Sequence, residues 1–115
     1  MELHRNSCDK INAKSAPISA SKARDLLSSI PLWTLGTREG KQKLVREFQF
    51  EGFKSAFEFT SKIAVLADEE DHHPLIVIEW GKVSISWWTH KVDALHFNDF
   101  IMAAKTDIIA KANLK

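Results

Sequence analysis

The sequence predicts an α+β domain: a four-stranded antiparallel sheet with three helices packed on one face, in the order helix-hairpin-helix-hairpin-helix. Three observations predict it. Apolar residues recur at helical spacing in three stretches and alternate at period two in the stretches between them. Turn residues fall between paired strand-like runs, as in hairpins. Paired strands separated by helices point to an antiparallel sheet rather than to parallel crossovers.

The first helix begins near Pro17-Ile18-Ser19, with Ser19 as N-cap. Ala23, Leu26, Leu27 and Ile30 follow at helical spacing, and Pro31 ends the run because it disfavours helical geometry at the residue before it. Trp33 to Leu35 reads as a strand and Gly36 through Gly40 as a turn. In the next strand Leu44, Phe48 and Phe50 share a face.

From Phe53 the period lengthens. Phe53, Ala56, Phe57, Thr60, Ile63, Ala64 and Ala67 lie on one helical stripe, with Phe59, Val65 and Leu66 outside it. Such a helix either packs on two partners or has a wide core face. The acidic turn Asp68-Glu69-Glu70-Asp71 leads to His72-His73-Pro74. Two further strand runs, Ile76 to Trp80 and Val83 to His90, flank a turn at Gly81-Lys82. The last helix carries Phe97, Ile101, Ala104, Ile108 and Ala112 on one face.

With 115 residues the chain fits a single domain, residues 17–115, preceded by a polar, aperiodic stretch, residues 1–16, read as a flexible extension. A chain of this size buries roughly two-thirds of its unfolded surface, enough for one core without a disulfide or metal staple. The net charge of +1 provides no basic field for nucleic acid. Cys8 is the one cysteine, so no internal disulfide forms, and a reducing, cytoplasmic setting is expected. No secretory h-region and no membrane-spanning run is present, so no membrane partner is expected.

Three of the five histidines can converge. His72 and His73 precede one strand of the second hairpin and His90 ends the other, so at about 3.3 Å per residue both groups return to the same end of the sheet. Imidazole titrates near neutrality and can donate or accept protons there. Adjacent histidines at such a junction are also often plain exposed loop residues. A metal site is the other alternative, since Asp68 and Asp71 add ligand types, but the spacing matches no standard zinc pattern. The four glycines are scattered singly and make no phosphate loop, and there is no Gly-x-Ser-x-Gly elbow. Trp87 reads as core, whereas Trp88, on the histidine face, offers a flat wall for a planar ligand.

These residues resemble the pterin-4a-carbinolamine dehydratase family. The matching pattern is Asp68, three residues, His72-His73-Pro74, five residues, Trp80, nine residues, His90, eight residues, Asp99. The ending Thr89-His90, the entry Leu26-Leu27, Pro31 and Trp33, and the aromatics Phe48, Phe50 and Phe53 are similar to the family as well, so the resemblance spans about residues 18–112. Departures from the family pattern are Leu75-Ile76 after the His-His-Pro, Ala94-Leu95-His96 before the last helix, and Asn98 before the final Asp.

The resemblance implies dehydration of a 4a-hydroxytetrahydropterin to quinonoid dihydropterin and water, without metal or cofactor. It supports pterin recycling for an aromatic amino acid hydroxylase. It implies His72 and His90 as the acid/base pair, with His73 contacting the pterin or assisting proton transfer. Asp68 would orient a histidine. Asp99 stands in the first turn of the last helix, where a carboxylate also suits the helix dipole. Trp33, Trp80, Trp88 and Pro74 are candidates for the pocket wall. The family forms tetramers, dimers of dimers, and the patch Phe59, Val65 and Leu66 suits such contacts. Some animal members also serve as dimerisation partners of a homeodomain transcription factor, a role that would use the helix at 53–67 and no histidine.

Overall fold

The computed structural model describes residues 2–11 and 15–113. Helix α1 (Ala20–Leu27) is followed by strands β1 (Thr34–Arg38) and β2 (Lys41–Gln49), helix α2 (Phe53–Glu70), strands β3 (Leu75–Glu79) and β4 (Lys82–Trp87), and helix α3 (Phe97–Asn113). Short 3-10 turns lie at Leu3–Arg5 and His90–Val92. The sheet order is β1-β2-β4-β3, antiparallel throughout, as predicted.

Local chemistry accounts for most boundaries. The Ser19 hydroxyl accepts from the Lys22 amide and caps α1. The β1–β2 turn places Glu39 and Gly40 at positive φ, the geometry that matches strand twist in a tight hairpin. The β3–β4 turn is Trp80-Gly81, one residue earlier than the predicted Gly81-Lys82, because Gly81 takes the positive φ of 74°. A Cβ at Gly81 would sit 3.1 Å from the Phe50 carbonyl oxygen.

One face of the sheet carries the core. Leu44 pairs with Trp87 and Phe48 with Val83 across β2 and β4, and all four are buried with Ile85. Helices α2 and α3 contact this sheet, and Ala23 and Leu26 of α1 join the same cluster. Phe48 meets Trp33 edge-on at 6.1 Å and Phe59 at 4.8 Å, arrangements that aromatic rings favour. The Trp87 indole N–H donates to Thr106 Oγ1 at 3.2 Å, and that hydroxyl donates to the Met102 carbonyl, so these buried polar groups are paired.

Two helical stripes depart in part from the prediction: Ala56, Ile63 and Ala67 of α2 and Ile101 of α3 are buried as predicted, and other predicted positions are not. On α2 the buried residues are Ala56, Phe59, Ile63 and Ala67, whereas Phe53, Phe57 and Val65 are exposed. Phe59 therefore belongs to the core, seated between Phe48 and Phe50, and not to an outward patch. On α3 the inward side includes Asp99, Met102, Ala103, Thr106 and Ala110, while Ile108 is 45% exposed. Polar Asp99 and Thr106 find partners inside, beside buried Phe100, Ile101 and Met102.

Residues 2–11 of the stretch predicted as a flexible extension make specific contacts. Leu3 is 2% exposed within the core cluster, and the Leu3–Arg5 turn packs on α3. The Cys8 and Asp9 amides also donate to side chains of the domain. Residues 12–14 of that extension lie outside the described residues. Among the described residues, no helix is long and apolar enough to cross a membrane.

Candidate active site

The site lies at the open end of the β3–β4 hairpin, where three segments meet. Helix α2 ends at Asp71, whose left-handed conformation (φ 50°) reverses the chain, and its amide donates back to Ala67 and Asp68. The His72 amide also donates to the Ala67 carbonyl. Turned back this way, His72 enters the interior and His73 faces out. Strand β4 stops at Trp87, so His90 begins the following 3-10 turn instead of ending the strand. That turn sets His90 Nε2 3.3 Å from the His73 carbonyl oxygen.

His72 is 7% exposed, with its ring stacked on Trp87 at 5.8 Å. Its Nε2 lies 2.7 Å from Oδ1 of Asp99, which is fully buried. The other oxygen of Asp99 accepts from the Thr89 hydroxyl at 2.8 Å and from the His96 amide at 2.9 Å. A buried carboxylate is costly unless paired, and Asp99 has three donors. The bond to His96 is also one half of a capping box at the start of α3, and the His96 ring nitrogen Nδ1 accepts from the Asn98 amide. Because a carboxylate only accepts, His72 carries its proton on Nε2, leaving Nδ1 as the proton-accepting nitrogen.

His73 pairs with Asp68 at 2.9 Å in the open, the two side chains being 54% and 82% exposed. The His90 ring lies against Trp88 at 4.3 Å, tilted by 35°, and Lys43 Nζ sits 3.3 Å from the centroid of the Trp88 ring. A cleft of about 520 Å³ opens beside these histidines, lined by residues 8–11, 70–73 and 89–91. All three expected histidines therefore line one cavity. Asp68, Asp99 and Trp88 do not line it but touch His73, His72 and His90 respectively, and Pro74 is likewise absent from the lining.

Two predicted wall residues are elsewhere. Trp33 is buried in the core with its indole N–H donated to Asp107 at 2.8 Å. Trp80 is 73% exposed in the hairpin turn, at the opposite end of β3 and β4 from the histidines. Trp80 belongs to the motif and Trp33 to the similar entry segment, but the hairpin carries Trp80 away from the cleft and the core claims Trp33. Sequence reasoning missed the wall formed by Cys8 to Ile11, since a polar aperiodic stretch has no period to read. Burial, with Glu70 adding to it, pushes the Cys8 thiol up to about 12. Among the described residues, no group of three or more His, Cys, Asp or Glu side chains could hold a metal ion.

The model of the family described as pterin 4 alpha carbinolamine dehydratase matches residues 16–109. Two curated relatives bear the provisional name pterin-4-alpha-carbinolamine dehydratase. One from Saccharophagus degradans is 45% identical over 106 residues, covering 92% of this chain and 94% of its own. One from Marinobacter nauticus is 46% identical over 105 residues, covering 91% and 95%. A solved structure from Brucella melitensis, described as a transcriptional coactivator/pterin dehydratase, superposes with a TM-score of 0.75 at 27% identity, covering 83% of this chain and 99% of its own. A pterin dehydratase-like protein described as a RuBisCO assembly factor in the alpha-carboxysome superposes with a TM-score of 0.56 at 25% identity, covering 68% and 88%. With the motif, the sheet order and the family model in agreement over most of its length, this chain belongs to the pterin 4 alpha carbinolamine dehydratase family.

Proposed function

We propose that the protein dehydrates 4a-hydroxytetrahydropterin to quinonoid dihydropterin by histidine general acid/base catalysis. The observation that carries this reading is the buried His72–Asp99 pair beside a cleft that His73 and His90 also line. In the reaction the C4a–O bond breaks and a C4a–N double bond forms. The hydroxyl takes a proton and leaves as water, and the neighbouring nitrogen gives up a proton. One acid and one base therefore suffice, each contributing about 10²–10⁴-fold.

His72 is suited to be the base, because Nδ1 can take the nitrogen proton while Asp99 balances the charge that forms on the ring. His90, more exposed and held against Trp88, is suited to protonate the departing hydroxyl. His73, which lines the same cleft, would contact the pterin or pass protons. Neither metal nor cofactor is required by this scheme. After two-electron reduction by a separate reductase, the product would return to the tetrahydropterin pool of an aromatic amino acid hydroxylase, in the cytoplasm.

The proposal includes assembly into a tetramer, a dimer of dimers. Phe53, Phe57 and Val65 support it: Phe57 lies four residues after Phe53 and Val65 eight after Phe57 on α2, and all three are exposed apolar side chains. The dehydration reading is tested by supplying a 4a-hydroxytetrahydropterin and following quinonoid product with and without excess chelator. Turnover that survives the chelator supports it; loss of turnover restored by zinc opposes it.

A further inference from the structure

The cleft has a wall that the histidine chemistry does not use. Residues 8–11 close one side of it, and they precede the stretch that the family model matches, 16–109. The segment is tied down at several points. The Cys8 amide donates to Glu70 Oε1 at 2.8 Å. Asp9 and Asn98 exchange two bonds: the Asp9 amide donates to Asn98 Oδ1 at 3.0 Å, and Asn98 Nδ2 donates to the Asp9 carbonyl at 2.9 Å. Lys91 Nζ donates to the Ile11 carbonyl at 3.1 Å.

Asn98 is 1% exposed, so its amide has this backbone as its partner in place of water. The anchors sit beside the site: Glu70 is two residues before His72, Lys91 follows His90, and Asn98 precedes Asp99. The segment thus spans the same three elements that carry the histidines and their carboxylate.

Resting on the dehydratase reading, we infer that residues 8–11 are the specificity wall of the cleft and hold the substituent that a pterin carries on its reduced ring, accepting a neutral hydroxyalkyl group in preference to an anionic one. A ring whose 4a carbon lies at the histidines leaves part of a 520 Å³ cleft for such a group. The charge around the cleft disfavours an anion: Asp9, Glu70 and Asp71 line it and Asp99 stands behind His72, against Lys10 and Lys91 in the lining and Lys105 at 3.9 Å from Glu70, so carboxylates outnumber lysines when the histidines are neutral. Half-buried Ile11 adds an apolar surface for the carbon chain.

Cys8, the chain's one cysteine, reports on the wall directly. With the docked thiol pushed up to about 12, its alkylation by iodoacetamide at pH 8 is expected roughly 10²–10³-fold below that of the unfolded chain. A 7,8-dihydropterin with a dihydroxypropyl side chain has no 4a hydroxyl to lose, and it is expected to slow alkylation at least threefold more. The same pterin with a phosphate on that side chain is expected to protect more weakly, and equal protection overturns the charge preference. Asn98→Ala removes both bonds to Asp9. It is expected to speed alkylation at least tenfold and to raise KM for the dihydroxypropyl carbinolamine about fivefold, with kcat changed less than twofold. Glu70→Ala, an independent route if Asn98→Ala fails to fold, is expected to act in the same direction, and Glu70→Gln, which keeps the acceptor oxygen, to leave KM near that of the intact protein while alkylation rises only through loss of the carboxylate charge beside the thiol. Faster alkylation with KM unmoved, together with no protection by the dihydropterin in the intact protein, overturns the wall. An intact protein that binds the dihydropterin, protects Cys8 and yet turns over no carbinolamine loses the dehydratase reading and keeps the wall.

Discussion

Nε2 of His72 and Oδ1 of Asp99 lie 2.7 Å apart, both out of water, and with the proton on Nε2 this bond leaves the Nδ1 lone pair open, the base of the proposed scheme. Asp99→Asn is the clean probe. The amide oxygen can keep the donors Thr89 and His96, but its NH₂ then faces His72 and favours the opposite tautomer. The expected outcome is a kcat about 10²-fold lower with the fold retained. Asp99→Ala is expected to cost about 1–3 kcal/mol more in stability, because the buried Thr89 hydroxyl loses its partner. Urea titration and turnover on the same samples separate the two effects.

The second carboxylate–histidine pair predicts a contrast. Asp68 and His73 are bonded at 2.9 Å but largely in solvent, and exposed pairs contribute about 0–1 kcal/mol and weaken with salt. Asp68→Asn is therefore expected to change kcat only a few-fold, with the difference shrinking in high salt. A loss as large as that of Asp99→Asn would move the catalytic emphasis to His73.

How much of this was legible in the sequence follows from what each signal encodes. Alternation at Val83, Ile85 and Trp87 placed β4's core face correctly, because a strand has only two faces and the period is two. Helical phase was harder. Phe57 and Phe59 are equally apolar, and only packing against Phe48 and Phe50 decides that Phe59 goes inside. The histidine cluster was readable because hairpin geometry returns the strand ends to one place. Its wall at residues 8–11 was not, since it depends on long-range bonds to Glu70 and Asn98. Trp80 matched the motif, yet the turn at Trp80-Gly81 projects it away from the cleft.

The tryptophans test that distinction. Trp33→Phe removes an indole donor to Asp107, which keeps its ion pair with Arg46, and is expected to cost about 1 kcal/mol in stability with turnover unchanged. Trp80→Ala, at an exposed turn, is expected within about 0.5 kcal/mol of the parent and equally active. Reduced turnover in either variant with stability intact would place that ring in the site.

Assembly depends on a different surface. Phe57→Glu puts a charge among the exposed apolar side chains of α2 without touching the core, and is expected to dissociate a tetramer into smaller species. Light scattering at micromolar concentration reads this directly. A wild-type chain that is already monomeric leaves these side chains without that role.

The most direct measurement of the central claim is the dehydration rate of a 4a-hydroxytetrahydropterin by the parent, His72→Ala, His90→Ala, the double variant and His96→Ala. Each single cleft variant is expected to lose about 10²–10⁴-fold in kcat, and the double to fall close to the uncatalysed rate, less than additively if the two act as a unit. His96, which caps α3 through Nδ1, is expected to cost about 0.5–2 kcal/mol in stability with turnover near that of the parent. Turnover lost in folded His96→Ala but retained in His72→Ala and His90→Ala would contradict the account at its centre.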